Sequence, residues 1–169
     1  MRFCMQPVTV AIADADRDRR AGFERLLQDE FGIALLTDDK PNNEDGKFRA
    51  FVNRRFNSRK NVEAYENEVA RIKRLKPLVV LVNLNLYSDE DCALLLSLRR
   101  ECPEALVILL TDDLVQENQI MQALEIGARG YLKYEAVQLH LSMAIQVVGF
   151  GEGWVPRKML GSVMDRILH

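Results

Sequence analysis

Five short runs of aliphatic and β-branched residues recur along the chain, each followed by a longer stretch with apolar residues at helical spacing. This alternation restricts the fold more than any other feature. The runs are Val8 to Ala13, Ile33 to Leu36, Leu78 to Val82, Ala105 to Leu110 and Gly130 to Lys133. The longest of them are apolar almost without interruption, so both faces need cover, which is the condition of a strand inside a parallel sheet. Phe23, Leu26, Leu27 and Phe31 mark a first helix, and Val62, Tyr65, Val69, Ile72 and Leu75 a second. Leu94, Leu95 and Leu98 mark a third, Ile120, Ala123 and Leu124 a fourth, and Leu139, Met143, Ile145 and Val148 a fifth. Asp16 or Asp18 can cap the first, Ser88 with Asp91 offers a capping box for the third, and Gly127 suits a left-handed stop to the fourth. Strands alternating with helices require parallel pairing through crossovers, and the economical solution is an open, doubly wound α/β sheet.

A chain of 169 residues, 48% hydrophobic and 28% charged, has the apolar surface for one core and excludes a disordered polymer. The formal charge of −2 gives no overall attraction to nucleic acid. Cys4, Cys92 and Cys102 lack CxxC spacing and read as reduced, structural thiols. His140 has no Ser or Asp at triad spacing and no second ligand, which leaves hydrolase and zinc chemistry unsupported. No run is long enough to cross a bilayer, and Met1 to Thr9 lacks the apolar centre of a signal peptide, so the expectation is a cytoplasmic protein with no membrane partner.

In open α/β sheets, function gathers at the carboxyl ends of the strands. Those ends are Asp14, Thr37, Asn83, Thr111 and Lys133 or Tyr134. Three glycines, Gly149, Gly151 and Gly153, then lead to Pro156 at the first turn of a sixth helix. Its apolar stripe of Met159, Leu160, Val163, Met164 and Ile167 should bury against a partner or the chain's own core.

Ile12, Ala13 and Asp14, then Val80 to Asn85, then Thr111, then Ala123 to Leu132 follow one another as in the receiver domains of bacterial response regulators, which this sequence resembles over most of residues 7–150. Ala123 to Leu132 and the tail Gly151 to Pro156 are most similar to the NarL/LuxR-type subfamily. The resemblance implies a flavodoxin-like, five-stranded parallel sheet of order 2-1-3-4-5, with residues 1–150 as the receiver-like unit and 151–169 as a linker and helix. It implies further that the fourth helix, fifth strand and fifth helix form the output or dimer face. DNA would be contacted through a C-terminal domain outside this chain.

In that family a third-strand carboxylate accepts a phosphoryl group with the help of Mg²⁺, held by it and by a pair of acids after the first strand. A hydroxyl after the fourth strand and a lysine after the fifth contact the phosphoryl oxygens. Here Asn83 stands at the nucleophile's position, and an amide offers no anionic oxygen on which an acyl phosphate could form. Ala15 replaces one acid of the pair, leaving Asp14, with Asp16 nearby as a weak metal candidate or, more in keeping with a loop acid, a helix cap. The lysine's spacing falls on Tyr134. Lys133 lies one residue early, on the opposite face of a strand, and could reach the site only through a bulge. Thr111 and Tyr131 match the switch hydroxyl and the switch aromatic. Asn83 and Asn85 could equally satisfy loop backbone groups with no ligand involved.

The connection from the second strand to the second helix, about residues 38–61, is longer than such links usually are. Lys47 to Lys76 holds ten basic and three acidic residues, a net +7 against −9 for the remainder. Phe48, Phe51 and Phe56 are interleaved with Arg49, Arg54, Arg55, Arg59 and Lys60. That composition suits a docking helix or a nucleic-acid contact, and the amphipathic pattern explains the Phe residues unaided. The resulting expectation is a non-enzymatic pseudo-receiver without a cofactor, acting in signal transduction and transcription regulation by phosphorylation-independent regulatory protein contacts and homodimerisation. A stand-alone adaptor, nucleic-acid binding through the insertion, and phosphorylation at a non-standard acid are the alternatives.

Overall fold

A computed structural model describes residues 6–14, 17–37, 58–83, 90–113 and 115–168, with the side chains of 58–65 and 90–92 excepted. In chain order the elements are β1 (Val8–Ala13), α1 (Arg17–Leu27), β2 (Ile33–Leu35), α2 (Ser58–Leu75), β3 (Val79–Asn83) and α3 (Glu90–Glu101). They are followed by β4 (Leu106–Thr111), α4 (Glu117–Ile126), β5 (Gly130–Lys133), α5 (Tyr134–Gly149) and α6 (Arg157–Leu168). The strands form one parallel sheet in the order β2-β1-β3-β4-β5. This is the flavodoxin-like arrangement.

The unbroken apolar runs have the reason expected of them, because both faces of the central strands are buried. Val10 and Ile12 of β1, Val79 and Leu81 of β3, and Ile108 and Leu110 of β4 pack with Leu27, Val137, Leu141, Ile145 and Val148 on the α1/α5 face. Their neighbours Ala11, Ala13, Val80, Val82, Val107 and Leu109 pack with Ile72, Leu95, Leu98, Ile120 and Met121 on the α2/α3/α4 face. The period of two then fixes what each strand end presents. Asp14 and Asn83 continue the α1/α5 register, whereas Thr111 continues the other.

β2 pairs only Ile33, Ala34 and Leu35 with β1. Beyond it, the carbonyl of Ile12 accepts a hydrogen bond from the buried guanidinium of Arg71 on α2, which also meets Glu68 at 2.9 Å. A side chain thus satisfies a backbone acceptor next to the short edge strand. Glu68 in turn receives Arg20 of α1 at 3.3 Å, tying α1 to α2.

The other edge, β5, is covered by the tail. Trp154 forms a one-residue parallel bridge with Gly130, its N–H donating to the Arg129 carbonyl (3.0 Å) and its carbonyl accepting from Tyr131 N–H (3.1 Å). A Cβ at Gly130 would lie 2.6 Å from the Trp154 oxygen, so only glycine permits this approach. α6 then lies beside α4, with Ser162 to Glu117 at 3.5 Å and Arg166 to Glu125 at 2.7 Å.

Two of the expected surfaces are divided in the structure. The α6 stripe is not one buried face: Met159 enters the core with Tyr131 and Val163 packs against it, while Leu160, Met164 and Ile167 point outward. The inward pair is spaced four residues apart, and the three outward residues sit on a second face. Nor is the α4–β5–α5 face free along its length. The tail and α6 cover its α4 and β5 portions, leaving Leu139 and Met143 of α5, and Phe150 just after it, exposed. Of the enlarged β2–α2 connection, residues 38–57 lie outside the described residues, and 58–61 already belong to α2.

Candidate functional site

At the carboxyl ends of β1 and β3, where the strand order reverses, four side chains form one connected network. Both carboxylate oxygens of Asp14 are held by Arg19 of α1, Nε on Oδ2 at 2.6 Å and Nη2 on Oδ1 at 2.8 Å. This is the bidentate fork in which a guanidinium binds a carboxylate most favourably. The Asp14 side chain is 1% exposed, and that of Arg19 38%. The Asn83 side-chain nitrogen also donates to Asp14 Oδ2, and the Asn83 oxygen accepts from the Tyr134 hydroxyl. Tyr134 stands at the first position of α5 with its ring 6.0 Å from that of Phe23 on α1. The network therefore begins and ends on α1, passing through β1, β3 and α5.

The register explains who takes part. Tyr134 follows Leu132 by two residues onto the α1/α5 side, where Asp14 and Asn83 already are. Lys133 falls to the other side and is exposed, 3.4 Å from Asp113 in the β4–α4 loop. It is a rim residue outside the network, as its parity requires. Asp113 is held below the usual carboxylate range chiefly by a hydrogen bond with Glu135, aided by Lys133; the same bond raises Glu135. The Thr111 hydroxyl is fully buried and has no hydrogen-bond partner among the described residues. Tyr131 is buried on the α4 side, and desolvation pushes its phenol above the ordinary value.

The structure thus brings together Asp14, Asn83 and Tyr134 and leaves Thr111, Tyr131 and Lys133 on the opposite side of the sheet. Ala15, Asp16, Asn85, Arg49, Arg54 and Arg55 lie outside the described residues, and Arg59 and Lys60 fall in the first turn of α2. Asn83 spends its amide on two side chains and not, as one expectation had it, on loop backbone. Arg19 escaped the sequence reading, since an arginine in a helical first turn beside Arg17 and Arg20 carries no distinguishing signal. Cys102 is a free, half-buried thiol raised by desolvation. His140 rests near the Trp154 ring at 6.2 Å.

A magnesium site of the kind found with this fold needs oxygen donors in an octahedron at about 2.1 Å, usually with more than one carboxylate. The donors among the described residues do not fit it. Both Asp14 oxygens face guanidinium nitrogens, and Asn83 turns its amide nitrogen toward them. Among the described residues no three His, Cys, Asp or Glu side chains gather to hold a metal.

Sheet order, helices on both faces and a polar cluster at the β1/β3 carboxyl ends define a receiver-type fold. Solved structures agree. The isolated receiver domain of RcsB from Salmonella enterica serovar Typhimurium, determined with beryllofluoride, matches over 95% of this chain and 98% of its own at a TM-score of 0.62 and 15% identity. A LuxR-family response regulator from an Aurantimonas species matches over 97% and 100% at 0.64 and 17%. The receiver domain of a NarL response regulator from Mycobacterium tuberculosis matches over 87% and 99% at 0.61 and 17%. The chain has the receiver fold of LuxR- and NarL-type regulators. No family model and no curated protein sequence matches it. No helix among the described residues is long and apolar enough to cross a membrane.

Proposed function

We propose that this chain is a signalling module of the response-regulator type that works without phosphorylation, through protein contacts and self-association. One observation carries the reading: the residue at the acceptor position is an amide already engaged on both sides, donating to Asp14 and accepting from Tyr134. Each end is held by a neighbouring side chain, and an amide oxygen is a poor nucleophile.

Output then rests on surface. Leu139 and Met143 on α5 are 80% and 58% exposed, Phe150 just after it 70%, and Phe31 beside it 96%. An apolar patch of this kind marks a docking face, and a second copy of the chain is the occupant proposed. Leu160, Met164 and Ile167 on α6 offer a further face to a regulatory protein. Solved neighbours include a protein described as a LuxR-family DNA-binding response regulator; DNA contact by this chain would run through a joined domain.

The test is incubation with acetyl phosphate and Mg²⁺ followed by intact mass measurement, with light scattering on the same samples. An unchanged mass, with a dimer present before and after, is the expected result. Stoichiometric gain of one phosphoryl group overturns the reading.

A further inference from the structure

We infer that Arg19 is a built-in cation that occupies, by covalent attachment to the chain, the electrostatic place a divalent ion takes in this fold, and so keeps metal out of the site. The inference rests on the phosphorylation-independent reading and adds what holds the site in that state. A buried carboxylate left alone would be strongly disfavoured, so something positive must accompany Asp14, whose side chain is 1% exposed. A metal ion would satisfy it with a charge of two and a sphere of oxygens. The guanidinium satisfies it with a charge of one and two directed N–H bonds, at 2.6 and 2.8 Å, one to each oxygen.

Three consequences follow from that geometry. A cation approaching Asp14 at coordination distance meets two nitrogens of like charge where it needs free lone pairs. The bonus of tethering favours the arginine, since it is always present at the site, whereas a metal must be recruited from solution. Finally, Arg19 belongs to α1, while Tyr134 and its neighbour Phe23 close the network back onto the same helix. The internal cation therefore also fixes α1 against the sheet without any external ligand.

Restoring the missing acid at position 83 is accordingly insufficient to restore a metal site while Arg19 remains. Manganese binding, read from loss of the free-ion electron paramagnetic resonance signal, separates the possibilities in the full chain. Wild-type protein should show no saturable binding at this site, N83D should bind only weakly, and R19A/N83D should bind at least about tenfold more tightly than N83D, a difference of roughly 1.4 kcal/mol. R19Q/N83D, which keeps a donor but removes the charge, should follow R19A/N83D and serves if the alanine variant does not fold. Equal affinity of N83D and the double variants overturns the role of Arg19 and leaves the phosphorylation-independent reading untouched. That reading fails separately, by phosphoryl uptake in the wild-type chain.

Discussion

The substitution Asn83→Asp places the argument under the most strain, because it restores the residue type of a phosphoacceptor while breaking the network. The change removes the N–H that donates to Asp14 and sets a second carboxyl against the first. Asn83 is 6% exposed and Asp14 4%, so neither charge can be screened by water. A hydrogen bond to a charged acceptor contributes about 1.5–3 kcal/mol. Its loss, with like charges brought together, should lower stability by about 2–3 kcal/mol at pH 7.5, or roughly 4 to 12 °C in Tm for a chain of this size. The sign with pH is definite. Proximity to Asp14 raises the folded-state pKa of the introduced carboxyl above its unfolded value. The variant's deficit is therefore full above that raised value and shrinks as pH falls through it, because the protonated carboxyl regains a donor for Asp14. Urea unfolding of both proteins between pH 4.5 and 8 reads this directly. A variant as stable as wild type at pH 7.5, or a deficit independent of pH, refutes the network.

Tyr134→Phe keeps the ring against Phe23 but removes the donor to Asn83; a loss of about 1 kcal/mol in urea unfolding is expected. Gly130→Ala forces a Cβ to 2.6 Å from the Trp154 carbonyl, so the tail should detach, red-shifting Trp154 fluorescence and costing about 1–3 kcal/mol. Tyr131, raised by burial, should ionise in the folded chain only above the ordinary phenol range. Because the unfolded phenol ionises first, stability is full below that ordinary value and falls as pH rises through and beyond it, which alkaline unfolding followed by circular dichroism will register.

Much of this was legible in the residue order. The β1, β3 and β4 runs are apolar on both faces, so their pattern alone demands cover by helices on both sides, and Gly127 does end α4 with positive φ, its N–H on the Ala123 and Leu124 carbonyls. Parity placed Lys133 off the face that Asn83 occupies, and the structure keeps it at the rim on Asp113. What could not be read is the identity of the internal cation. Arg17, Arg19 and Arg20 share one helical turn, and only the angle at which α1 leaves β1 selects Arg19 for Asp14 and sends Arg20 to Glu68. The division of the α6 stripe was hidden for the same reason. Periodicity shows that Met159, Leu160, Val163, Met164 and Ile167 share a side, but not that docking beside α4 admits only Met159 fully.

The side-chain amide of Asn83 reports the state of the site without intermediaries. In a ¹⁵N–¹H spectrum its two protons should be inequivalent, one displaced by the Asp14 carboxylate, and should stay in place when beryllofluoride and Mg²⁺ are added. Saturable movement of that pair of signals on addition would mean that the site opens to a phosphoryl mimic, and would contradict the account.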